Sequence, residues 1–114
     1  MHKYYLALDL VGDQALIASY EKWHKEVWPE IIESITSSGI AQMEIYRVGN
    51  RLLMVMEVKE GFSFEAKSEA DAANPKVLEW EKLMWHFQQP LPFAKPGEKW
   101  LLMNKIFDMK NDFL

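Results

Sequence analysis

The stretch IAQMEIYRVGNRLLMVMEVK, Ile40 to Lys59, decides how the chain is folded. It reads as two strand-like runs, Ile40 to Val48 and Leu52 to Lys59, joined by Gly49-Asn50-Arg51. Glycine and asparagine accept the positive φ of tight turns, so the pair signals a β-hairpin. The second run, LLMVMEV, is almost continuously apolar, as expected of a strand covered on both faces.

Upstream, Lys3 to Val11 alternates, with Tyr4, Leu6, Leu8 and Leu10 on one face and Lys3, Tyr5, Ala7 and Asp9 on the other. That is the pattern of a half-buried strand. Gly12-Asp13 then turns into a helical pattern extending to about Ser38, where Gly39 is a natural stop. At roughly 100° per residue, Leu16, Tyr20, Trp23, His24, Val27, Ile31 and Ile35 share one stripe, with Trp28 on its flank. Downstream of the hairpin, residues 62–73 (FSFEAKSEADAA) read as a short exposed helix or a loop. Asn74-Pro75, a cap residue followed by proline, starts a helix that should run through about Gln88. The proline-rich PLPFAKPGE is a connection, Lys99 to Phe107 a final strand, and residues 108–114 a peripheral tail.

The order is therefore β-α-β-β-α-β in one domain, residues 1–114. A four-stranded antiparallel sheet with two main helices on one face, the ferredoxin-like α+β arrangement, satisfies it. The opposite sheet face is rich enough in apolar residues to require a cover, most simply the same face of a second chain, giving a homodimer.

Bulk composition narrows the function. A chain of 114 residues with 49% hydrophobic and 26% charged residues is long enough for one core. Its net charge of −4 argues against nucleic acid and anionic membrane surfaces as partners. The start, MHKYYLALDLVGDQ, has neither a basic lead nor a cleavage site, and reads as a strand of the mature protein. With no cysteine there is no disulfide framework, thiolate metal site or cysteine nucleophile, and a cytoplasmic location is expected. Phosphate-loop, dinucleotide, metalloprotease and serine-hydrolase motifs are missing, and the histidines are not paired.

Of the three histidines, His2 is terminal and His86 points away from its helix's apolar stripe, which leaves His24. The simplest reading of His24 is a core histidine satisfied by a hydrogen bond. Three features favour a pocket instead. Tyr20 stands one turn earlier on the same face. Pro29 should kink the helix just past His24 and open a cleft. Trp80 and Glu81, on the second helix, could supply a stacking surface and a carboxylate, although Trp80 also suits the core and Glu81 a solvated flank. Aromatic faces with a few polar tips are what a sugar ring needs.

The pattern Tyr20-x-x-x-His24-x-x-x-Trp28-Pro29-Glu30, followed by Gly39, Ile45-Tyr46 and Trp80 in a helix ending in methionine, resembles the L-rhamnose mutarotases and their L-fucose mutarotase relatives. The resemblance runs from the first strand to the last. It implies a ferredoxin-like dimeric α/β barrel, no metal and no cofactor, and interconversion of the α and β anomers of a 6-deoxy-L-hexose. By that resemblance His24 matches the catalytic proton donor, Tyr20 a sugar-binding tyrosine, and Trp80 the first of two adjacent sugar-binding tryptophans. Glu81 stands where the rhamnose enzymes have the second tryptophan, and Met43 where they have a second binding tyrosine. The segments WEKLMWHFQQPLP and KPGEKW are closer to the fucose-acting branch. The contrasting expectation is a binding module or cofactorless monooxygenase of the same strand order, whose pocket should be mainly apolar.

Overall fold

Strand β1 (His2–Leu10) lies at the centre of the sheet, antiparallel to β3 (Arg51–Val58), which pairs in turn with β2 (Ile40–Val48). The computed structural model describes residues 1–110; of the tail expected to be peripheral, 111–114 lie outside it. β1 and β3 run from His2 opposite Val58 to Asp9 opposite Arg51. This register puts Leu6, Leu8 and Leu10 on the face that also carries Leu52 and Met56, all of them buried. Each such side chain removed from water contributes about 1.5–3 kcal/mol. Asp9, buried on the other face, receives two hydrogen bonds from the Arg51 guanidinium, at 2.7 and 3.1 Å, which marks the end of the register.

The hairpin turn is tight, but only Gly49 takes positive φ, at 57°. Asn50 serves differently from the expectation. Its side-chain amide donates to the Leu10 carbonyl at 3.0 Å and its own carbonyl accepts from Leu10 N–H, tying the turn to β1. The β2–β3 register shifts between Ile40 and Gln42. Such a bulge resets the alternation. Ile40 faces the helices opposite Val58, and beyond the bulge Met43 does so opposite Met56.

Four helices stand where the sequence calls for two main helices and a short helix or loop. The long first helix is divided into α1 (Gln14–Trp23) and α2 (Pro29–Ser37). Pro29 does not kink a continuous helix. It holds the preceding Trp28 extended, at φ −55° and ψ 136°, and occupies the first turn of a new helix, where its missing N–H costs nothing. Residues 62–73 form α3 (Phe64–Ala72), with the Ser63 side chain accepting from Ala66 N–H. α4 (Pro75–Met84) begins as expected, Asn74 accepting from the N–H groups of Lys76 and Val77.

α4 ends four residues early, and Gln88–Gln89 forms a two-residue strand, β4, against Leu10 and Asp9. The final strand expected over Lys99 to Phe107 shrinks to β5, Leu101–Leu102, which pairs with Ala7 and Leu6. β4 and β5 lie along the same edge of β1, so the fourth strand position is filled by two pieces with residues 90–100 looping out between them. The architecture is ferredoxin-like α+β, with the core of Leu10, Leu52, Ile31, Val77, Trp80, Met84 and Phe87 between sheet and helices. No helix among the described residues is long and apolar enough to cross a membrane.

Candidate active site

The break between α1 and α2 positions His24. As the C-terminal cap of α1, its backbone N–H reaches the carbonyls of Tyr20 and Glu21. Carbonyls of a last turn lack helical partners, and the His24 ring supplies a further one: Nδ1–H donates to the Tyr20 carbonyl at 2.9 Å. A carbonyl can only accept, so this bond holds the proton on Nδ1 and leaves Nε2 with a lone pair when the ring is neutral. Burial pushes the His24 imidazole below its ordinary value, opposed by the bond to the Tyr20 carbonyl. At neutral pH the ring therefore rests uncharged.

Tyr20 lies against it, ring centroids 4.4 Å apart, and is buried. Its phenol is pushed up to about 12, chiefly by burial, with the Glu81 charge adding and a hydrogen bond from Gln88 opposing. It stays protonated, a neutral hydrogen-bonding group and not a base. Trp80 closes the next side, its ring 5.7 Å from His24 and 5.1 Å from Trp28, edge to face in both cases. Trp80 is thus both core and wall. Glu81, one residue on, forms an ion pair with Lys99, whose ammonium also sits 4.8 Å from the Trp85 ring centroid.

Tyr20, His24, Met43, Trp80 and Glu81 all line one cavity of about 620 Å³ between sheet and helices. That size is within the roughly 300–1,000 Å³ of small-molecule sites. Much of its wall is apolar (Leu6, Ile45, Met54 and Met56 among them). The polar side chains of His24, Tyr20 and Gln88 adjoin one another on it. Glu81 lies on the same lining, and Ser34, Thr36, Gln42, Lys67 and Asp71 add further polar groups. Gln88 and Trp100 are lining residues that the sequence reading does not bring to the site. Gln88 was placed at the end of a helix, although Pro90 two residues on disfavours helical backbone at Gln89. Trp100 on the lining, and Lys99 as the ion-pair partner of Glu81, come from the returning end of the loop, and no local signal marks them.

A pocket with aromatic walls, one imidazole of fixed tautomer and no charged group left unpaired at its tip suits an enzyme that moves protons on a small neutral, hydroxyl-bearing molecule. The sequence profile of the L-rhamnose mutarotases matches residues 3–109, and the chain belongs to that family, whose members are isomerases acting on carbohydrates. An L-fucose mutarotase from Xanthomonas campestris is 49% identical over 109 residues, covering 94% of this chain and 87% of that protein. Among solved structures, the L-rhamnose mutarotase of Formosa agariphila superposes with a TM-score of 0.70 at 20% identity, covering 96% of this chain and all of that one. A dimeric ferredoxin-like protein from an uncultured marine organism superposes with a TM-score of 0.54 at 16% identity, over 93% and 90% of the two chains. The last two are likenesses of fold.

Proposed function

We propose that this protein interconverts the α and β anomers of a 6-deoxy-L-hexose, with L-fucose ahead of L-rhamnose, and that His24 moves the protons. The observation that carries the reading is the half-buried neutral imidazole, locked as Nδ1–H by the Tyr20 carbonyl, on the wall of a sugar-sized cavity. Opening a pyranose needs a proton removed from O1 and one delivered to the ring oxygen as the C1–O5 bond breaks. The O1 electrons then form the aldehyde, and the C1–O5 pair stays on the ring oxygen. The carbonyl turns about C1–C2 and closes on its other face by the reverse steps. Histidine serves such acid–base exchange near neutrality without help from a metal.

In this reading Nε2 takes the O1 proton. The imidazolium so formed is a stronger acid than usual because burial disfavours its charge, and it delivers a proton to the ring oxygen. Both oxygens are bonded to C1, so one nitrogen can serve them in turn. Tyr20 orients the sugar as a neutral phenol, Trp80 covers a C–H face of the ring, and Met43 adds apolar wall on the sheet side. The several polar side chains on the cavity lining favour this reading over an oxygen-dependent one, which calls for an apolar pocket throughout.

The preference for L-fucose rests on the Xanthomonas relative and on Glu81, whose carboxylate accepts from hydroxyls that an aromatic ring could only cover. Exchange NMR of the anomeric protons tests both levels. Wild type is expected to accelerate exchange of L-fucose more than that of L-rhamnose, and Glu81→Trp to shift the ratio toward L-rhamnose. Should Glu81→Trp and Glu81→Gln both keep the parent's ratio, Glu81 is a solvated flank and the preference loses its support.

A homodimer belongs to the same proposal. The sheet face away from the helices carries Tyr5, Val55, Leu53 and Tyr46 as neighbouring cross-strand partners, with Tyr5 and Tyr46 exposed. The Lys3–Glu57 and Arg51–Asp9 ion pairs rim it. An apolar patch with a charged rim is the anatomy of a subunit interface. Sedimentation at micromolar concentration is expected to give twice the chain mass, with Tyr46→Lys shifting it toward the monomer. A wild type sedimenting as a monomer would contradict the assembly.

A further inference from the structure

Gln88 has a side chain that the proton chemistry does not use. Two residues of β4 fix its backbone against Leu10, and the residue is only 6% exposed. Its amide Nε2 donates to the Tyr20 hydroxyl at 3.3 Å. Its Oε1 is the only buried side-chain nitrogen or oxygen among the described residues with no hydrogen-bond partner. The other buried polar side chain, Asp9, is doubly paired with Arg51. A buried acceptor without a partner is disfavoured, and in native proteins such atoms are few. Gln88 lines the cavity beside Tyr20 and His24.

We infer that Gln88 Oε1 is the acceptor for one ring hydroxyl of the sugar, and that Gln88 and Tyr20 together read two neighbouring hydroxyls. The terminal torsion of glutamine is soft, so a small turn of the amide brings Oε1 to an arriving O–H. Because the amide N–H occupies a lone pair of the Tyr20 oxygen, the phenol keeps its own proton to donate. The pair offers an acceptor and a donor side by side, the complement of adjacent hydroxyls that each both donate and accept. A polar group left unpaired in the free protein makes the site reject a sugar lacking the matching hydroxyl, because that sugar leaves it unpaired still. Gln88 is in this sense a specificity residue, and its role rests on the mutarotase reading.

The test uses L-fucose and its 2-, 3- and 4-deoxy analogues with wild type, Gln88→Met and Gln88→Asn. Dissociation constants come from NMR titration and anomer exchange is measured alongside. Wild type is expected to bind one analogue roughly tenfold to a hundredfold more weakly than L-fucose. Gln88→Met, which keeps the length of the side chain without its hydrogen bonds, should close that gap to about twofold and leave the other penalties in place. Gln88→Asn, which withdraws the amide by one methylene, should do the same if the methionine variant does not fold. A purely structural role would weaken all four sugars alike. Unchanged penalties in a folded variant, or a wild type indifferent to all three deletions, overturn the role of Gln88 while leaving the mutarotase reading intact. A wild type that exchanges no 6-deoxy-L-hexose overturns that reading, and the role of Gln88 with it.

Discussion

Replacing His24 with alanine is expected to slow anomer exchange by about a hundredfold or more, the usual contribution of a positioned acid or base. The fold should survive. The Tyr20 carbonyl that loses the ring N–H keeps the backbone N–H of residue 24, and the vacated space opens onto an existing cavity. The stability loss should then be about 1 kcal/mol, the net value of one ordinary hydrogen bond. The pH dependence separates the two possible working forms. With its value lowered by burial, the ring charges only at a more acidic pH than an ordinary imidazole does. If the neutral ring starts the reaction, wild-type exchange declines as the solution is acidified, at a pH below that at which an ordinary imidazole charges, and the alanine variant loses that decline. A rate that climbs as the solution is acidified would assign the work to the imidazolium. Exchange by His24→Ala at the wild-type rate would remove His24 from the mechanism.

Trp80→Ala is expected to have the largest effect on stability, about 3–5 kcal/mol, as for other large aromatic side chains deleted from a core. Its ring meets Trp23 at 6.4 Å and Trp28 at 5.1 Å, and Trp28 in turn lies under the Lys76 ammonium. Removing it leaves this layer of tryptophans without its centre. Against a total of roughly 5–15 kcal/mol for a domain, that loss lowers Tm by more than about 10 °C. Thermal and denaturant melts check it, and a variant melting within a few degrees of wild type would mean that the surrounding rings close over the gap. Trp80→Phe retains an aromatic face and should recover most of the stability. Its sugar affinity then measures how far the indole's extra area serves binding rather than packing.

What could be read in the chain were the features that a few adjacent residues determine. The alternation of β1, the Gly49 turn and the Asn74-Pro75 helix start are local, and each stands as expected. What could not be read depends on partners distant in sequence. The shift at Ala41 that turns Met43 toward the helices answers to the pairing with β3. Gln88–Gln89 becomes a strand because the edge of β1 is there to receive it, overriding a helical pattern that ran on through Phe87. The division of the first helix was half legible: Pro29 was seen to interrupt it, but whether the chain bends or restarts depends on Trp28 packing against Trp80. The same distinction holds in the cavity. Tyr20 and His24 are one turn apart and could be paired from the sequence. The facing positions of Glu81 and Lys99, or of Tyr20 and Gln88, arise only once α4 and the edge segments are laid beside α1.

The divided edge strand has a consequence for how relatives of this chain can diverge. Gln89 pairs with Asp9 and Leu101 with Ala7, so the chain leaves the sheet and returns to it almost where it left. Residues added or removed between 90 and 100 therefore shift no register on either side, and doubling such a loop costs only about 0.6 kcal/mol in closure entropy. Trp100 stands at its returning end and faces the cavity, with Lys99 beside it paired to Glu81, whereas Gln88 stands at its departing end and His24 on another element altogether. Insertions here can carry new side chains to the mouth of the pocket while the sheet and the imidazole stay fixed, so the range of sugars accepted is free to drift faster than the chemistry performed on them.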